Sequence, residues 1–131
     1  MKLRIYRNQL RFRFDREEME RLNCGESLES SIQVGPSAAQ RLTYSVLTAG
    51  GDAVPRARLE GQSIIVTLGR DVVKKWCEGN ELALESEETW EGYTMKLLLE
   101  KDMKRLNPKP GDESPSAYPN PLSGKARCDH P

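Results

Sequence analysis

The sequence lacks most of the features that catalytic and metal-binding sites use. Its 131 residues include a single histidine, His130, beside the chain end, and three cysteines without CxxC spacing. It contains no GxxxxGKS or GxxxxGKT phosphate loop, no GxGxxG fingerprint and no HExxH motif. A Ser-His-Asp triad or Cys-His dyad would have to use His130, so the chain end would need to fold back into a pocket. We therefore expect no catalytic residue, no metal and no cofactor, and we lean towards a protein that is not an enzyme.

Long apolar runs and an excess of charge of one sign are also missing. The start alternates charged and apolar residues, unlike a signal peptide, and no window approaches the roughly 20 apolar residues of a membrane helix. The 20 Lys+Arg and 20 Asp+Glu cancel, which disfavours nucleic acid as a partner. Three scattered cysteines are typical of a reducing compartment. We expect a cytoplasmic protein that does not enter a membrane.

The chain has the length of one domain and changes in composition near Asn107. Six of its eight prolines lie at or after Pro108, a density that regular structure does not tolerate. We predict one domain over residues 1–106 and a proline-rich arm or tail over 107–131. The tail carries Cys128 and His130, which are zinc ligands in principle, but their spacing matches no known finger. A polar chain end is the simpler interpretation.

An internal repeat appears when the sequence is shifted by 54 residues. The shift places Phe12 on Val66, and Gly25 on Gly79. It divides the domain into halves of about 1–50 and 55–104. In the first half, apolar residues alternate over two strands around a turn at Asn8–Gln9. A helix follows, capped by Asp15, and two more strands are predicted over 28–34 and 41–48.

The second half repeats this order and completes the predicted fold. Its strands are predicted at 56–60, 63–68, 82–87 and 93–101, with a helix from Arg70 to Glu78. The fold class is therefore α+β, with an internally duplicated ββαββ unit. Many antiparallel strands and few helices favour closure into a small antiparallel β-barrel with two short helices. One open sheet with both helices on one face is the alternative.

Strand alternation places cations on one face of the first hairpin in each half of the repeat. With the turn at Asn8–Gln9, Arg4 lies opposite Arg13, and like charges directly across strands are destabilising. One interpretation is an anion site with Tyr6 as a stacking surface. The other is a solvated face whose cations pair with acids elsewhere, such as the six glutamates of residues 78–91. The candidate ligand-binding residues are Lys2, Arg4, Tyr6, Arg11, Arg13, Arg56 and Arg58.

Two known folds resemble parts of this pattern. The stretch 60–68, the helix to Trp76 and Gly79–Leu82 resemble the strand–turn–strand–helix–strand unit of cradle-loop barrels, including AbrB-type regulators. That resemblance implies DNA binding by a dimer with a basic surface. The doubled ββαββ plan is similar to triphosphate tunnel enzymes, which hold a metal and a polyphosphate inside an eight-stranded barrel. Their first strand carries alternating glutamates, where this chain has Lys2, Arg4 and Tyr6.

Over most of its length the chain resembles an uncharacterised bacterial family of small proteins. The resemblance is carried by the opening residues 1–5, by Arg41–Tyr44, by Glu100–Asp102 and by Tyr118–Pro121. The family lends no activity. It implies that residues 100–121 form an ordered arm packed on the barrel.

These observations lead to three functional hypotheses. The first is a non-catalytic cytoplasmic module that binds an anionic small molecule or a protein partner through the cationic residues. Complementarity with the glutamate-rich segment 78–91 also allows a homodimer. The second is a metal-dependent phosphohydrolase of the tunnel type, for which Glu85, Glu100 and Asp102 are the only suitable acids on strands. The third is a DNA-binding regulator.

Overall fold

The structure is a computed structural model and describes residues 1–103. A 3₁₀ turn, Ala38–Gln40, precedes the fourth strand. In chain order the strands and helices are β1 (Lys2–Tyr6), β2 (Gln9–Phe14), α1 (Arg16–Asn23), β3 (Leu28–Gln33), β4 (Arg41–Ala49), β5 (Arg56–Glu60), β6 (Ser63–Gly69), α2 (Arg70–Glu78), β7 (Ala83–Trp90) and β8 (Tyr93–Lys101).

The strands form two mixed four-stranded sheets. Sheet A has the order β1-β2-β8-β7 and sheet B the order β3-β4-β6-β5. The central pairs β2–β8 and β4–β6 are parallel, and every outer pair is antiparallel. The α+β class with two short helices is confirmed, but the prediction of wholly antiparallel pairing is wrong, and so is the alternative of one open sheet. Side chains alternate with period two in both kinds of pair, so alternation in a sequence cannot separate them.

The first hairpin turns one residue earlier than predicted. Arg7 and Asn8 form the turn, with φ of 43° and 61°, and Gln9 is the first residue of β2. Asparagine tolerates the left-handed region, and the Asn8 side chain donates to the carbonyl of Thr94 at 2.7 Å. Arg4 therefore lies opposite Arg11, not Arg13. The second hairpin turns at Gly61–Gln62, between the strands predicted at 56–60 and 63–68.

Local signals place both helices as predicted. The Asp15 carboxylate caps α1 by accepting from the backbone N–H of Glu18 at 2.9 Å, and the Glu18 side chain returns a hydrogen bond. Gly25 follows the helix with φ of 88°. The predicted helix from Arg70 to Glu78 is confirmed. Neither helix has the length or the apolar character that crossing a bilayer requires.

The core lies between the inner faces of the two sheets and the buried sides of the helices. Phe12 and Val66, which the 54-residue shift superimposes, both lie in it. Trp76 is 1% exposed and meets the Phe14 ring edge-on at 6.0 Å, so it is a core residue. The buried apolar residues are Phe12, Phe14, Met19, Leu22, Leu28, Val46, Val66, Leu68, Val73, Trp76, Cys77, Leu97 and Leu99.

Candidate functional site

The predicted cationic residues divide between the two sheets. Strand alternation places those of β1 and β2 on the outer face of sheet A, opposite the core residues Phe12 and Phe14. Arg56 and Arg58 lie on β5, an edge strand of sheet B. The structure therefore does not bring the seven residues together. The outer face of sheet A holds Lys2, Arg4, Tyr6, Arg11 and Arg13.

Acids at the end of β8 neutralise most of the cations on sheet A. The parallel register sets Glu100 beside Arg13, and Glu100 binds Arg11 through two hydrogen bonds and Arg13 at 3.5 Å. This hydrogen bonding raises the pKa of the Arg11 guanidinium above its ordinary value. Asp102 binds the Lys2 ammonium at 3.4 Å. The sequence favoured residues 78–91 as the source of these partners, although Glu100 alternates with the apolar residues of the last strand.

Two members of the predicted set remain outside this ion-pair network. Arg4 is exposed and makes no ion pair or hydrogen bond within residues 1–103. The Tyr6 side chain is also exposed, and its ring lies 5.3 Å from the Arg7 guanidinium carbon, a cation–π distance. The face is therefore mostly a solvated surface of paired charges, with Arg4 as its exception.

A groove of about 900 Å³ opens between the two sheets. Its walls come from the first hairpin, from β5 and β6, and from the ends of β7 and β8 that join at the turn after Trp90. Three large apolar side chains are exposed to solvent there: Ile5 is 61% exposed, Leu59 70% and Trp90 51%. The apolar wall residues are Ile5, Leu10, Ala57, Leu59, Ile64, Trp90 and Met95.

Two arginines and their acidic partners lie along one border of the groove. Arg56 donates to Glu88 of β7 at 2.6 Å, and Arg58 donates to Glu60 at 2.9 Å. The Ser86 hydroxyl donates to the carbonyl of Pro55 at 2.6 Å. The contacts of Glu88 and Ser86 connect β7 of sheet A to β5 of sheet B and the residue before it, whereas the Arg58–Glu60 pair lies within β5. The groove therefore has a polar border and an apolar floor.

The sequence predicted the arginines of this border but not the groove. The 54-residue shift superimposes Ile5 on Leu59, but strand alternation does not separate apolar residues of the core from those exposed in a groove. Trp90 lay beyond the predicted end of its strand at residue 87, whereas β7 continues to Trp90. The missed signal was the presence of large apolar residues at strand ends, where the core no longer covers them.

Comparison with known proteins places the chain in a family. A family model described as a family of unknown function, DUF7009, matches residues 1–122. The chain belongs to this family. The resemblance to an uncharacterised family of small proteins is thereby confirmed. No curated protein and no solved structure matches the chain.

Membership of the DUF7009 family supplies no reaction, so any chemistry must be argued from side chains. Within residues 1–103, no group of three or more His, Cys, Asp or Glu side chains is arranged to hold a metal ion. Glu100 and Asp102 bind cations on the outer face of sheet A, and Glu85 is exposed on β7. The acids of the phosphohydrolase hypothesis therefore do not converge inside the fold. Cys128, His130 and the predicted arm 107–131 lie outside the described residues.

Proposed function

We propose that this protein is a non-catalytic binding module whose groove takes a small amphipathic anion. Such a ligand has an apolar body and one carboxylate, sulfonate or phosphate group. The observation that carries the proposal is the pairing of an apolar floor, exposed at Ile5, Leu59 and Trp90, with Arg56 and Arg58 at its border.

The size and lining of the groove favour a small molecule. Its volume of about 900 Å³ falls within the range of roughly 300–1,000 Å³ that is usual for small-molecule sites. Such sites combine apolar walls with a few polar groups that orient the ligand. Covering the apolar floor would remove Leu59 and Trp90 from water, which supplies a hydrophobic driving force.

In this proposal the arginines of β5 recognise the acidic end of the ligand. On β5 they alternate with Ala57 and Leu59, so adjacent residues of this edge strand present charge on one side and apolar surface on the other, and both kinds line the groove. The partner of Arg58, Glu60, is 61% exposed, and an ion pair that exposed contributes little. The Arg58 guanidinium can therefore exchange this acid for a ligand anion at small cost.

Tryptophan fluorescence tests this proposal with decanoate and its neutral analogue 1-decanol. Trp76 is buried, so ligand-induced changes report Trp90. Decanoate should shift the emission to the blue and saturate. Arg58→Gln should weaken decanoate binding about tenfold, the size of one charge-assisted hydrogen bond, and leave 1-decanol unchanged. Lys74→Gln, which removes an exposed charge on α2 away from the groove, is the matched control and should alter neither.

Two results would contradict the proposal in different ways. If neither compound changes the emission of Trp90, the groove is not the binding site. If Arg58→Gln weakens both compounds equally, the arginine does not recognise the acid. Decanoate affinity should also fall as salt is raised, because the anion and the arginines meet near the solvent.

We infer further that the chain is a duplicated ββαββ unit whose two sheets close into a barrel. The repeated element order supports duplication, and so does the identical sequence of antiparallel, parallel and antiparallel pairs in each sheet. In this scheme each half gives one hairpin to each sheet. The bridges from Arg56 to Glu88 and from Ser86 to Pro55 support closure between β5 and β7. The groove then lies at one opening of the barrel.

A further inference from the structure

The outer face of sheet A is divided by charge. Pairing registers set Arg4 beside Arg11, Arg11 beside Leu98, and Leu98 beside Glu85 in one row across the four strands. Cations occupy the β1–β2 side of this face, and the β7 side carries Glu85 and Glu87. Leu98 lies between the two sides and is half-buried.

Arg4 and Glu85 are the unpaired charges of this row. Both are exposed, and within residues 1–103 neither makes an ion pair or a hydrogen bond. They are three strand spacings apart, about 14 Å, which is too far for a direct contact. Their neighbours are paired, since Arg11 binds Glu100 and Lys96 lies 3.9 Å from Glu87.

We propose that the outer face of sheet A is an interface between two copies of this chain. The two-fold axis lies in the interface, parallel to the strands and between β2 and β8. This rotation sets the β1 side of one copy against the β7 side of the other. It leaves the position along the strands unchanged, so each row of paired residues faces the same row of the other copy. Arg4 of each copy then faces Glu85 of the other, and the two apolar Leu98 side chains lie near the centre.

Charge selects this arrangement over the other two-fold packing. An in-plane axis perpendicular to the strands would set Arg4 against Arg4 and Glu85 against Glu85, which is repulsive. The axis parallel to the strands forms two Arg4–Glu85 pairs, one for each Arg4. A C2 interface requires such a self-complementary surface.

The dimer should be weak and sensitive to salt. Four strands about 4.8 Å apart, and a longest strand of nine residues, give a face of roughly 20 by 30 Å. This area is near the lower limit for a stable interface, and its contacts are mainly ionic. Neither Arg4 nor Glu85 lines the groove, so the dimer can be tested independently of the ligand.

Sedimentation velocity of the full chain at low salt tests the interface with a charge exchange. Wild type should dimerise as its concentration rises, and Arg4→Glu and Glu85→Arg should each remain monomeric. An equimolar mixture of these two variants should form a heterodimer, because each acid then meets an arginine of the other copy. The double variant R4E/E85R should dimerise as wild type does. Lys74→Glu and Glu29→Arg make the same charge changes at other exposed sites and should leave dimerisation intact.

Three outcomes would overturn the interface. A wild type that stays monomeric at low salt and high concentration would exclude it. Two variants that remain monomers when mixed would show that Arg4 and Glu85 do not meet. A monomer that captures inorganic polyphosphate through Arg4 would show that the face is an anion site. Circular dichroism of each variant, expected to match wild type, separates a lost interface from a lost fold.

Discussion

Lys101 lies where the alternation of β8 places an apolar residue. It follows Leu97 and Leu99 on the inner face, is 7% exposed, and donates to the carbonyl of Gly79 at 3.2 Å. That carbonyl belongs to the residue capping the C-terminal end of α2, where a cation is favourable. Burial nevertheless lowers the pKa of Lys101, against the opposing effects of Cys77 and Glu81. The contact between the Lys101 ammonium group and the Gly79 carbonyl therefore joins α2 to sheet A, although burying the ammonium group is unfavourable.

The lowered pKa of Lys101 predicts a pH-dependent stability. Between its folded value and the ordinary 10.5, the unfolded chain binds more protons, so the free energy of unfolding rises with pH. Below that window the cost of burying the charge is fully present. Relative to Lys101→Met, wild type should therefore gain stability from pH 7 to pH 10 in urea unfolding. A stability difference between the two proteins that is independent of pH would contradict this.

At the residue scale, alternation predicted which side chains share a face of the sheet but not which residues they contact across strands. The shared side of Lys2, Arg4 and Arg11 followed from period two, and the cap at Asp15 followed from local spacing. The partners Glu100 and Asp102 could not be predicted, because they reach β2 only through a parallel pairing across 80 or more residues of chain. The left-handed turn at Arg7–Asn8 was missed because the polar pair Asn8–Gln9 looked equally suitable.

Among the elements, the junction of β6 and α2 leaves no room for a side chain at Gly69. Gly69 caps α2, and its N–H donates to the carbonyl of Ala53 at 2.7 Å. A Cβ on Gly69 would lie within 3 Å of backbone atoms of Gly51, Asp52 and Ala53. Backbone atoms cannot rotate aside as a flexible side chain can. The close approach of the loop before β5 therefore requires a residue without a side chain at position 69.

Gly69→Ala should lower the free energy of unfolding by about 1–3 kcal/mol, the usual cost of overpacking. Gly50→Ala is the matched control, since a Cβ there meets no atom within 4 Å, and it should change stability by less than about 1 kcal/mol. Urea unfolding of the three proteins measures both. Equal stabilities for wild type and Gly69→Ala would show that the 51–53 loop can move away.

Element order was predicted more successfully than element pairing. Caps, glycines and alternation are local signals, and they placed both helices and the hairpin β5–β6. The pairing of β2 with β8 and of β4 with β6 joins distant parts of the chain. Those pairs depend on which apolar faces cover each other, and Phe12, Val46, Val66 and Leu99 are similar enough to fit more than one arrangement.

For the whole molecule, the proposed function depends on the space that the two sheets leave between them. The sheets share a core at the helices but separate at the groove, where Ile5, Leu59 and Trp90 stay wet. A protein gains nothing in stability from exposed apolar walls, so their clustering beside paired arginines supports the proposed binding. Family membership adds no activity, and the proposal therefore rests on this groove.

The most direct measurement is the pair of indole signals in a ¹⁵N–¹H spectrum during titration with decanoate. The chain has two tryptophans, one in the groove and one in the core, and Trp90→Phe assigns them. Binding in the groove predicts a saturable shift of the Trp90 signal while that of Trp76 stays in place. A Trp90 signal that does not move, or a Trp76 signal that moves equally, would contradict a ligand held in the groove.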